Sequence, residues 1–437
     1  MKNLIYLIAL CLLISTTAHS QSLSTKFSQP LSSVIHQVES QFGVRLKCSD
    51  VDTTGLNLPY AAFRIRPYSL NETLQNILAP FDFKAVKQND KLYKVKPYEY
   101  TRRTPADGEK LTAYLSTLYS DKSSWEARAT QLRADVRRLL EIDNLLSRLS
   151  PLKPQTTKPR NYDGYSVYNF RIPTIDGHFV YGSVYSPSDK SLKKKQLPLI
   201  VCPNGHFLNG RYGTVQQQRL ATLARMGAVC ISYDLWGWGE SEREVGAAAH
   251  RSDTAHVMQA LNGLRILDWA LSWKNIDKSR VAVNGGSGGG TQTVLLSVLD
   301  PRITAACAVV SVSSWFDGGC PCESGKPIQL AAGGTCNAEL AALMAPRPLG
   351  LVSDDGDWTS STPDVEFPFI RRIYGFYDAT DNVSDVHLPG ERHDFGPNKR
   401  QAVYDFFSRV FSLDKSKVDE SRVTIEKENQ LTFNPVK

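Results

Sequence analysis

The segment Val281-Ala-Val-Asn-Gly-Gly-Ser-Gly-Gly-Gly290 decides the fold of this chain. It starts as an apolar strand, passes through a Gly-x-Ser-x-Gly turn centred on Ser287 and continues into a helix predicted over Thr291 to Leu299. A tight turn between strand and helix forces the central serine into strained backbone angles, and side chains at the flanking positions would collide with neighbouring elements. The context therefore favours a nucleophilic serine over a flexible glycine loop.

A serine hydroxyl is a poor nucleophile unless a base removes its proton, so a histidine is needed later in the chain. His393, in Gly390-Glu-Arg-His-Asp-Phe-Gly396, follows the last predicted strand and precedes the final helix. His387 lies within that strand, in Asp385-Val-His-Leu, and is interpreted as structural. The sequence thus predicts His393 as the base.

The imidazole needs a carboxylate, normally one at the end of the preceding strand, to orient it and stabilise its cation. The predicted strand Leu349 to Val352 is followed by Ser353-Asp-Asp-Gly-Asp-Trp358, which offers three aspartates. Asp357 is favoured, and Asp354 and Asp355 stay open because spacing alone does not fix loop geometry. Asp317, after an earlier strand, is a more remote candidate. The order Ser287, Asp357, His393 is the one expected of α/β-hydrolases.

Two further groups of residues are candidates for the site. Backbone amides for an oxyanion are predicted at Gly288 and at His206, in Pro203-Asn-Gly-His-Phe207. The His206 side chain could also pack under the substrate loop. Trp236 and Trp238, in the turn Asp234-Leu-Trp-Gly-Trp-Gly-Glu-Ser241, are candidate substrate-binding residues as a sugar-stacking platform, although core packing is the favoured interpretation.

Strands and helices alternate from about Tyr165 to Phe411, which predicts a mostly parallel sheet with helices on both faces. Lys2 followed by an apolar run from Leu4 to Ile14 predicts a signal peptide and export to the periplasm or medium. No later run is long enough for a stable membrane span. The predicted organisation comprises a signal peptide over 1–20, a small α+β domain over 27–97, a helical connector over 101–154, a catalytic domain over 155–413 and a loosely held polar tail over 414–437.

Composition limits the possible functions. The 437 residues are 41% apolar and 22% charged, as in folded globular proteins, and the formal charge is +7. Lys and Arg number 51 against 44 Asp and Glu, without the concentrated basic face of a nucleic-acid binder. A mild preference for anionic surfaces remains compatible with this balance.

Removing Cys11 with the signal peptide leaves seven cysteines. Cys320, Cys322 and Cys336 lie in a glycine-rich stretch where one disulfide is plausible in an exported chain. A metal site is the weaker interpretation, because no histidine lies near them in the sequence. No metal and no cofactor are predicted.

With these residues in place, the region from about Trp125 to Phe411 resembles the acetyl xylan esterase and dienelactone-hydrolase-like branch of the α/β-hydrolases. The segments PNGHF, DLWGWGES, VNGGSGGGTQT, APRPLGLVSDDGDWT and GERHDFG carry the likeness. It implies hydrolysis of ester bonds, often acetyl groups on plant polysaccharides, without a metal, with Ser287 as nucleophile, Asp357 as acid and His393 as base. The chain departs from many relatives in having Asn204 instead of histidine, which leaves the acyl and leaving groups open.

Residues 27–97 resemble the short N-terminal domain of secretins and TonB-dependent receptors, through PLSSVIHQVESQFGV and YSLNETLQNILAPF. This likeness implies a cell-envelope partner, although the domain could equally cover an edge of the catalytic domain. Two other functions compete with an esterase. A serine peptidase of the prolyl oligopeptidase type shares the serine motif, but no propeller-length region precedes it here. A catalytically inactive envelope-binding protein is the other alternative.

Overall fold

The structure, a computed structural model, describes residues 27–433 except 176, 193, 194 and 208. The signal peptide predicted over 1–20 lies outside these residues. The described chain forms two compact units, one that ends at Tyr100 and one that starts at Thr101. Within the described ranges, no helix combines the length and the apolar character needed to cross a membrane.

The first unit is a small α/β region. Its strands are β1 (Ser28–Pro30), β2 (Arg45–Lys47), β3 (Asn57–Pro59), β4 (Phe83–Asn89) and β5 (Leu92–Pro97), and its helices are α1 (Leu31–Phe42), α2 (Ala61–Arg64) and α3 (Leu70–Leu78). Strand β5 lies between β2 and β4, and β1 pairs with β3. Helix α1 buries Leu31, Val34, Ile35 and Val38 at helical spacing, and it ends at Gly43. The Ser69 side chain caps α3 by accepting a hydrogen bond from the Glu72 amide at 3.3 Å.

The second unit opens with the helices α4 (Pro105–Thr117), α5 (Lys122–Leu140) and α6 (Ile142–Ser147). Helix α5 buries one stripe, formed by Trp125, Ala129, Leu132, Val136 and Leu140. This stripe belongs to the same apolar cluster as the central sheet. The helical segment is therefore part of the second unit's core.

A ten-stranded sheet forms the centre of the second unit. Its strands are β6 (Gln155–Thr156), β7 (Arg160–Asn161), β8 (Tyr165–Pro173), β9 (Phe179–Pro187), β10 (Leu197–Val201), β11 (Val229–Tyr233), β12 (Ile276–Gly286), β13 (Ala305–Val309), β14 (Leu349–Gly356) and β15 (Val383–Arg392). The order is β15-β14-β13-β12-β10-β11-β9-β8-β6, with β7 beside β8. All neighbours from β11 to β15 are parallel, whereas β9, β8 and β6 run antiparallel to their neighbours.

Helices cover both faces of this sheet, which confirms the predicted α/β-hydrolase fold. The helices that follow the connector are α7 (Thr214–Arg225), α8 (Gly239–Val245), α9 (Asp253–Ala270), α10 (Gly288–Leu299), α11 (Pro321–Ser324), α12 (Asn337–Ala342), α13 (Phe367–Gly375), α14 (Pro397–Phe411) and α15 (Glu428–Leu431). Successive side chains of a strand point to opposite faces. Accordingly, Leu199 and Val201 of β10 join one apolar cluster, and Ile200 and Cys202 join the other.

The described part of the tail after Leu413 is firmly packed, so the prediction of a loosely held tail is wrong there. Leu431 is fully buried, and its carbonyl accepts a hydrogen bond from Arg211 at 2.6 Å. Glu426 forms a 2.6 Å ion pair with Arg160, and its amide donates to Gln217 at 2.8 Å. The polar composition of the tail concealed these contacts because their partners lie more than 200 residues away in sequence.

Candidate active site

Ser287 stands on the turn between β12 and α10, at the carboxyl ends of the parallel strands. Its backbone angles are φ 55° and ψ −125°, which a residue with a side chain adopts only under strain. Its amide donates to the Val309 carbonyl at 3.0 Å, which fixes the turn to β13. The strained geometry therefore follows from anchored neighbours rather than from local flexibility.

The glycines around Ser287 are required by close backbone approach. A Cβ atom at Gly285 would lie 2.4 Å from the Gly289 carbonyl oxygen, and one at Gly289 would lie 2.5 Å from the Pro203 oxygen. Both contacts are with backbone atoms, which cannot move aside as a flexible side chain can. The predicted need for glycine at these two positions thus has a steric origin.

Ser287, His393 and Asp357 form one continuous hydrogen-bonded array. His393 Nε2 lies 2.9 Å from Ser287 Oγ, and His393 Nδ1 lies 2.6 Å from Asp357 Oδ2. The Asp357 side chain is only 2% exposed, and its Oδ1 accepts hydrogen bonds from the amide and hydroxyl of Thr359, both at 2.6 Å. An imidazole held in this way can accept a proton from the serine hydroxyl.

The other aspartates have different partners. Asp354 is buried and forms a 3.0 Å ion pair with Lys399. Burial, followed by the negative charge of Asp357, raises the pKa of Asp354. Asp355 accepts from His387 Nε2 at 2.8 Å and from the Gly390 amide at 2.9 Å. Asp317 lies 3.6 Å from Arg103.

His387 lies within β15, as its sequence context indicates. Its Nδ1 is 2.9 Å from Ser353 Oγ, while its Nε2 contacts Asp355. Both ring nitrogens are therefore engaged with groups on β14. This arrangement matches the structural role expected from its position in the strand.

The loop after β10 passes directly against the serine turn. A Cβ atom at Gly205 would lie 2.3 Å from the Gly286 oxygen and 3.1 Å from Ser287 Cβ. Likewise, a Cβ atom at Gly288 would lie 2.9 Å from Cε1 of the His206 ring. His206 and Gly288 thus flank the same space beside the serine, which is where amide donors to an oxyanion are needed.

Asn204 is buried, and its side chain is engaged in hydrogen bonds to β11. Its Nδ2 donates to the Tyr233 carbonyl, and its Oδ1 accepts from Ser232 Oγ at 3.1 Å. These bonds tie the loop after β10 to β11. The amide side chain consequently holds this loop in place.

The two candidate tryptophans differ. Trp236 is 5% exposed, and its ring centroid lies 5.2 Å from that of His178, which agrees with the favoured core packing and excludes this residue from a sugar-stacking platform. Trp238 is partly exposed, and its ring lies 5.6 Å from the His206 ring and 5.3 Å from the His250 ring.

Two aromatic side chains that the sequence analysis did not identify, Trp358 and Phe207, lie beside the His393 imidazole. Trp358 lies 4.4 Å from the His393 ring centre, and Phe207 lies 5.9 Å from it. Phe316 packs on Trp358 at 4.3 Å, and the Arg102 guanidinium lies 4.1 Å from the Phe316 ring centre. The available signals were adjacency of Trp358 to Asp357 and of Phe207 to His206, whereas nothing local indicated Arg102.

A second cluster beside the site contains His206, His250, Cys320 and Cys322, whose ligand atoms all lie within 4.8 Å of one another. The sequence argument against a metal assumed that no histidine lay near these cysteines, and the fold overturns that premise. Cys320, Cys322 and Cys336 are free thiols in the structure, so the plausible disulfide is not formed. Burial raises the pKa of the neighbouring Glu323 carboxyl.

This combination of fold and site is that of an α/β-hydrolase. The model of the X-Pro dipeptidyl-peptidase (S15 family) domain matches residues 176–349. The solved structure of methylesterase BT1017 is 60% identical and superimposes with a TM-score of 0.86, over 94% of this chain and 91% of that one. The chain belongs to the same α/β-hydrolase esterase family as that methylesterase.

More distant relatives share the fold. Acetyl esterase Axe7A of Xylanibacter ruminicola is 24% identical over 183 residues, which cover 37% of this chain and 40% of the length of that relative. A Bacteroides fragilis structure described as an acetyl xylan esterase is 17% identical with a TM-score of 0.51, over 66% of this chain and 83% of that one. At this identity, the likeness shows the fold alone.

Proposed function

We propose that the chain hydrolyses carboxylic esters through an acyl-enzyme formed on Ser287. The hydrogen-bonded array of Ser287, His393 and Asp357 carries this proposal, because it links a hydroxyl to a base and the base to a buried carboxylate. As Oγ attacks the ester carbonyl, His393 Nε2 takes the hydroxyl proton and then gives it to the departing alkoxide. A water molecule cleaves the acyl-enzyme by the same proton transfers, which release the acid and restore the serine.

The amides of Gly288 and His206 are the proposed donors to the oxyanion. Gly288 opens α10, so its amide lies at a helix N-terminus, where the dipole also favours negative charge. The close approach of the His206 ring to Gly288 supports an arrangement in which the two residues border one pocket. The carbonyl oxygen would gain most from these donors as its charge develops in the tetrahedral intermediate.

We propose a methyl ester as the bond cleaved, since a methylesterase is 60% identical to this chain. A departing methoxide offers little to recognise, so the acyl side of the substrate must supply most of the binding energy. Trp358 and Phe207, beside His393, provide aromatic faces, and Arg102 provides a cation beside Phe316. Such surroundings suit a carbohydrate ring that carries the esterified carboxylate or further acids.

The sequence resemblance to acetyl xylan esterases favours an acetyl ester on a carbohydrate as the competing substrate. The purified chain should therefore be given methyl-esterified pectin and acetylated xylan in parallel, with methanol and acetate measured in each. We expect methanol release from pectin to exceed acetate release from xylan by at least about tenfold in kcat/KM, a difference of about 1.4 kcal/mol. Acetate as the dominant product would overturn the methyl-ester assignment while leaving the esterase mechanism intact.

Ser287→Ala is the control for the mechanism. We expect it to remove both activities and to prevent labelling by a fluorophosphonate, which modifies activated serines. Circular dichroism of the variant should match that of the unmodified chain, because the alanine side chain fits wherever serine does. Undiminished hydrolysis by folded Ser287→Ala would refute the acyl-enzyme, and a folded chain without any of these activities would favour the inactive binding protein.

A peptidase is the second candidate function, because the domain model that matches residues 176–349 describes an X-Pro dipeptidyl-peptidase. Amide hydrolysis requires protonation of a poorer leaving group, which His393 could also perform. Aminoacyl-proline amides and p-nitrophenyl acetate distinguish the two activities in one preparation. Faster cleavage of the amides would place the chain with the peptidases.

We also propose that the chain is exported and that the unit ending at Tyr100 binds a cell-envelope partner. The amino-terminal apolar run and the resemblance of residues 27–97 to the secretin and TonB-dependent receptor domain support this proposal. Fractionation of the producing cells, with an antibody to the chain, tests the first part. Recovery in the cytoplasm with residues 1–20 still attached would contradict it.

A further inference from the structure

A second site lies beside the serine, where four potential metal ligands from three separate segments converge. His206 comes from the loop after β10, His250 from the turn Ala247–Arg251, and Cys320 and Cys322 from the start of α11. His206 Nε2 lies 2.8 Å from His250 Nε2 and 3.1 Å from Cys322 Sγ. We propose that these four side chains bind a zinc-like divalent transition-metal ion in a closed, structural site.

The chemistry of the ligands fits such an ion. Two imidazole nitrogens and two thiolates form one of the common tetrahedral zinc sets, with bonds of about 2.0–2.1 Å to nitrogen and about 2.3 Å to sulfur. Those bond lengths separate the ligand atoms by about 3.3–3.8 Å. The four atoms here lie within 4.8 Å of one another, and two of the pairs are 2.8 Å and 3.1 Å apart, so the separations span the range that such an ion requires. Binding releases the thiol protons to solvent.

A hydrogen bond orients the His250 imidazole toward the proposed ion, and a nearby carboxylate lies behind the His206 imidazole. His250 Nδ1 lies 2.7 Å from the Trp236 carbonyl oxygen, which can only accept, so Nδ1 carries the hydrogen and Nε2 presents its lone pair. His206 Nδ1 faces the Glu323 carboxylate at 3.7 Å, and that carboxylate also accepts from Thr291 at 3.2 Å. Carbonyl and carboxylate partners behind ligating histidines are typical of metal sites.

The surroundings of the cluster favour a structural role. Cys322 is fully buried and His250 is 5% exposed, and the Trp238 ring packs against both histidines. The Cys320 thiol contacts the His250 carbonyl at 3.8 Å, which keeps the two segments adjacent. Because all four positions are filled by protein, no position remains for water or substrate, unlike in a catalytic zinc site.

Such an ion would join the three segments that supply its ligands, one of which is the loop after β10 that passes beside Ser287. The His206 ring lies against Gly288, and the amides of these two residues are the proposed oxyanion donors. The ion would therefore be a positioning device for the loop after β10, not a participant in ester cleavage. The proposal concerns metal content, so its test does not depend on whether the chain hydrolyses esters.

The full chain, purified without chelator, should be analysed by plasma mass spectrometry and then stripped and titrated with Zn²⁺ alone. We expect about one zinc per chain, loss of about 5 °C in Tm on stripping and recovery on Zn²⁺ addition. Co²⁺ added to the stripped chain should give a thiolate-to-cobalt charge-transfer band and the visible bands of tetrahedral coordination. This titration needs no variant, so a folding defect cannot obscure it.

Cys322→Ser and His250→Gln should lose the metal and the cobalt bands, whereas the matched Cys48→Ser, whose thiol lies in the first unit, should retain both. Less than about 0.1 metal ion per chain together with no cobalt bands on titration would overturn the proposal. A Cys320–Cys322 disulfide in the unreduced chain, detected as a peptide lighter by two thiol hydrogens, would overturn it as well.

Discussion

The three aspartates after β14 show how burial and partners select one carboxylate for one task. Asp357 is enclosed and contacts His393 and Thr359, Asp354 is neutralised by Lys399, and Asp355 is half exposed beside His387. All three lie within four residues of sequence. Only the direction of each side chain at the end of the strand separates them, and sequence spacing does not determine that direction.

Replacement of Asp357 and, in a separate variant, of Asp355 by asparagine should distinguish their roles. Asp357→Asn is expected to lower kcat for p-nitrophenyl acetate by about 10⁴-fold, because the amide disfavours the productive imidazole tautomer and does not stabilise its cation. Asp355→Asn should change kcat less than about threefold, because it touches only the His387 pair and the Gly390 amide. An equal loss in both variants at unchanged stability would reassign the acid.

The sequence predicted that Ser287, Asp357 and His393 come together, as they do in the structure, but it did not predict the side chains around them. Ser287 and His393 each follow a strand that the sequence predicts, so their positions follow from the fold. His250 and Trp358 join the site across loops, and their contacts depend on backbone paths that no periodicity encodes. The burial of Trp236, a candidate stacking residue, likewise depends on the path of a turn that no periodicity encodes.

The loop after β13 contains a buried carboxylate, Asp317, and Arg103 at 3.6 Å offsets its negative charge only in part. Burial raises the pKa of Asp317 to about 6, although the positive charge of Arg103 at 3.6 Å opposes the shift. A raised carboxyl pKa in the folded state means that ionisation opposes folding. The free-energy penalty that ionised Asp317 imposes on folding is absent below its pKa in the unfolded chain, near 4. The penalty grows between that pH and pH about 6, and it remains constant at higher pH.

Asp317→Asn should therefore raise the free energy of unfolding by about 1–3 kcal/mol at pH 8 and have little effect at pH 4. Urea unfolding at both pH values measures the difference. Asp405→Asn, at a side chain that is 46% exposed, is the matched control and should remain within about 0.5 kcal/mol at both. A gain from Asp317→Asn that is the same at pH 4 and pH 8 would exclude the ionisation as its cause.

Secondary structure was predictable where apolar periodicity was strong. The helix predicted over Thr291 to Leu299 occurs as Gly288–Leu299, so it ends at the predicted residue and begins three residues earlier. Strand β14 extends four residues beyond the apolar run, because pairing with β15 continues to Gly356, with a register shift between Asp354 and Gly356. The tail was misjudged because ion pairs such as Arg160 with Glu426 hold it, and these leave no apolar pattern.

Over the whole molecule, the parallel strands determine where the chemistry collects. The ends of β10, β12, β14 and β15 lie along one edge of the sheet, and each is followed by a loop or turn that contributes to the site. Rigid strands fix the distances, while the loops supply the side chains. The fold alone does not specify a substrate. The net charge of the chain is a separate property that affects how fast charged esters encounter this edge of the sheet.

The chain carries a formal charge of +7, and the proposed substrate is a carbohydrate bearing acids. Opposite charges accelerate encounter, and salt screens that attraction as the Debye length falls from about 30 Å at 0.01 M to about 8 Å at 0.15 M. We therefore expect kcat/KM on partly methyl-esterified pectin to fall severalfold across this range. On neutral p-nitrophenyl acetate it should stay constant, which controls for salt effects on the triad. If both substrates respond equally, screening of substrate charge is not the cause, and recognition of an acidic carbohydrate loses its electrostatic support.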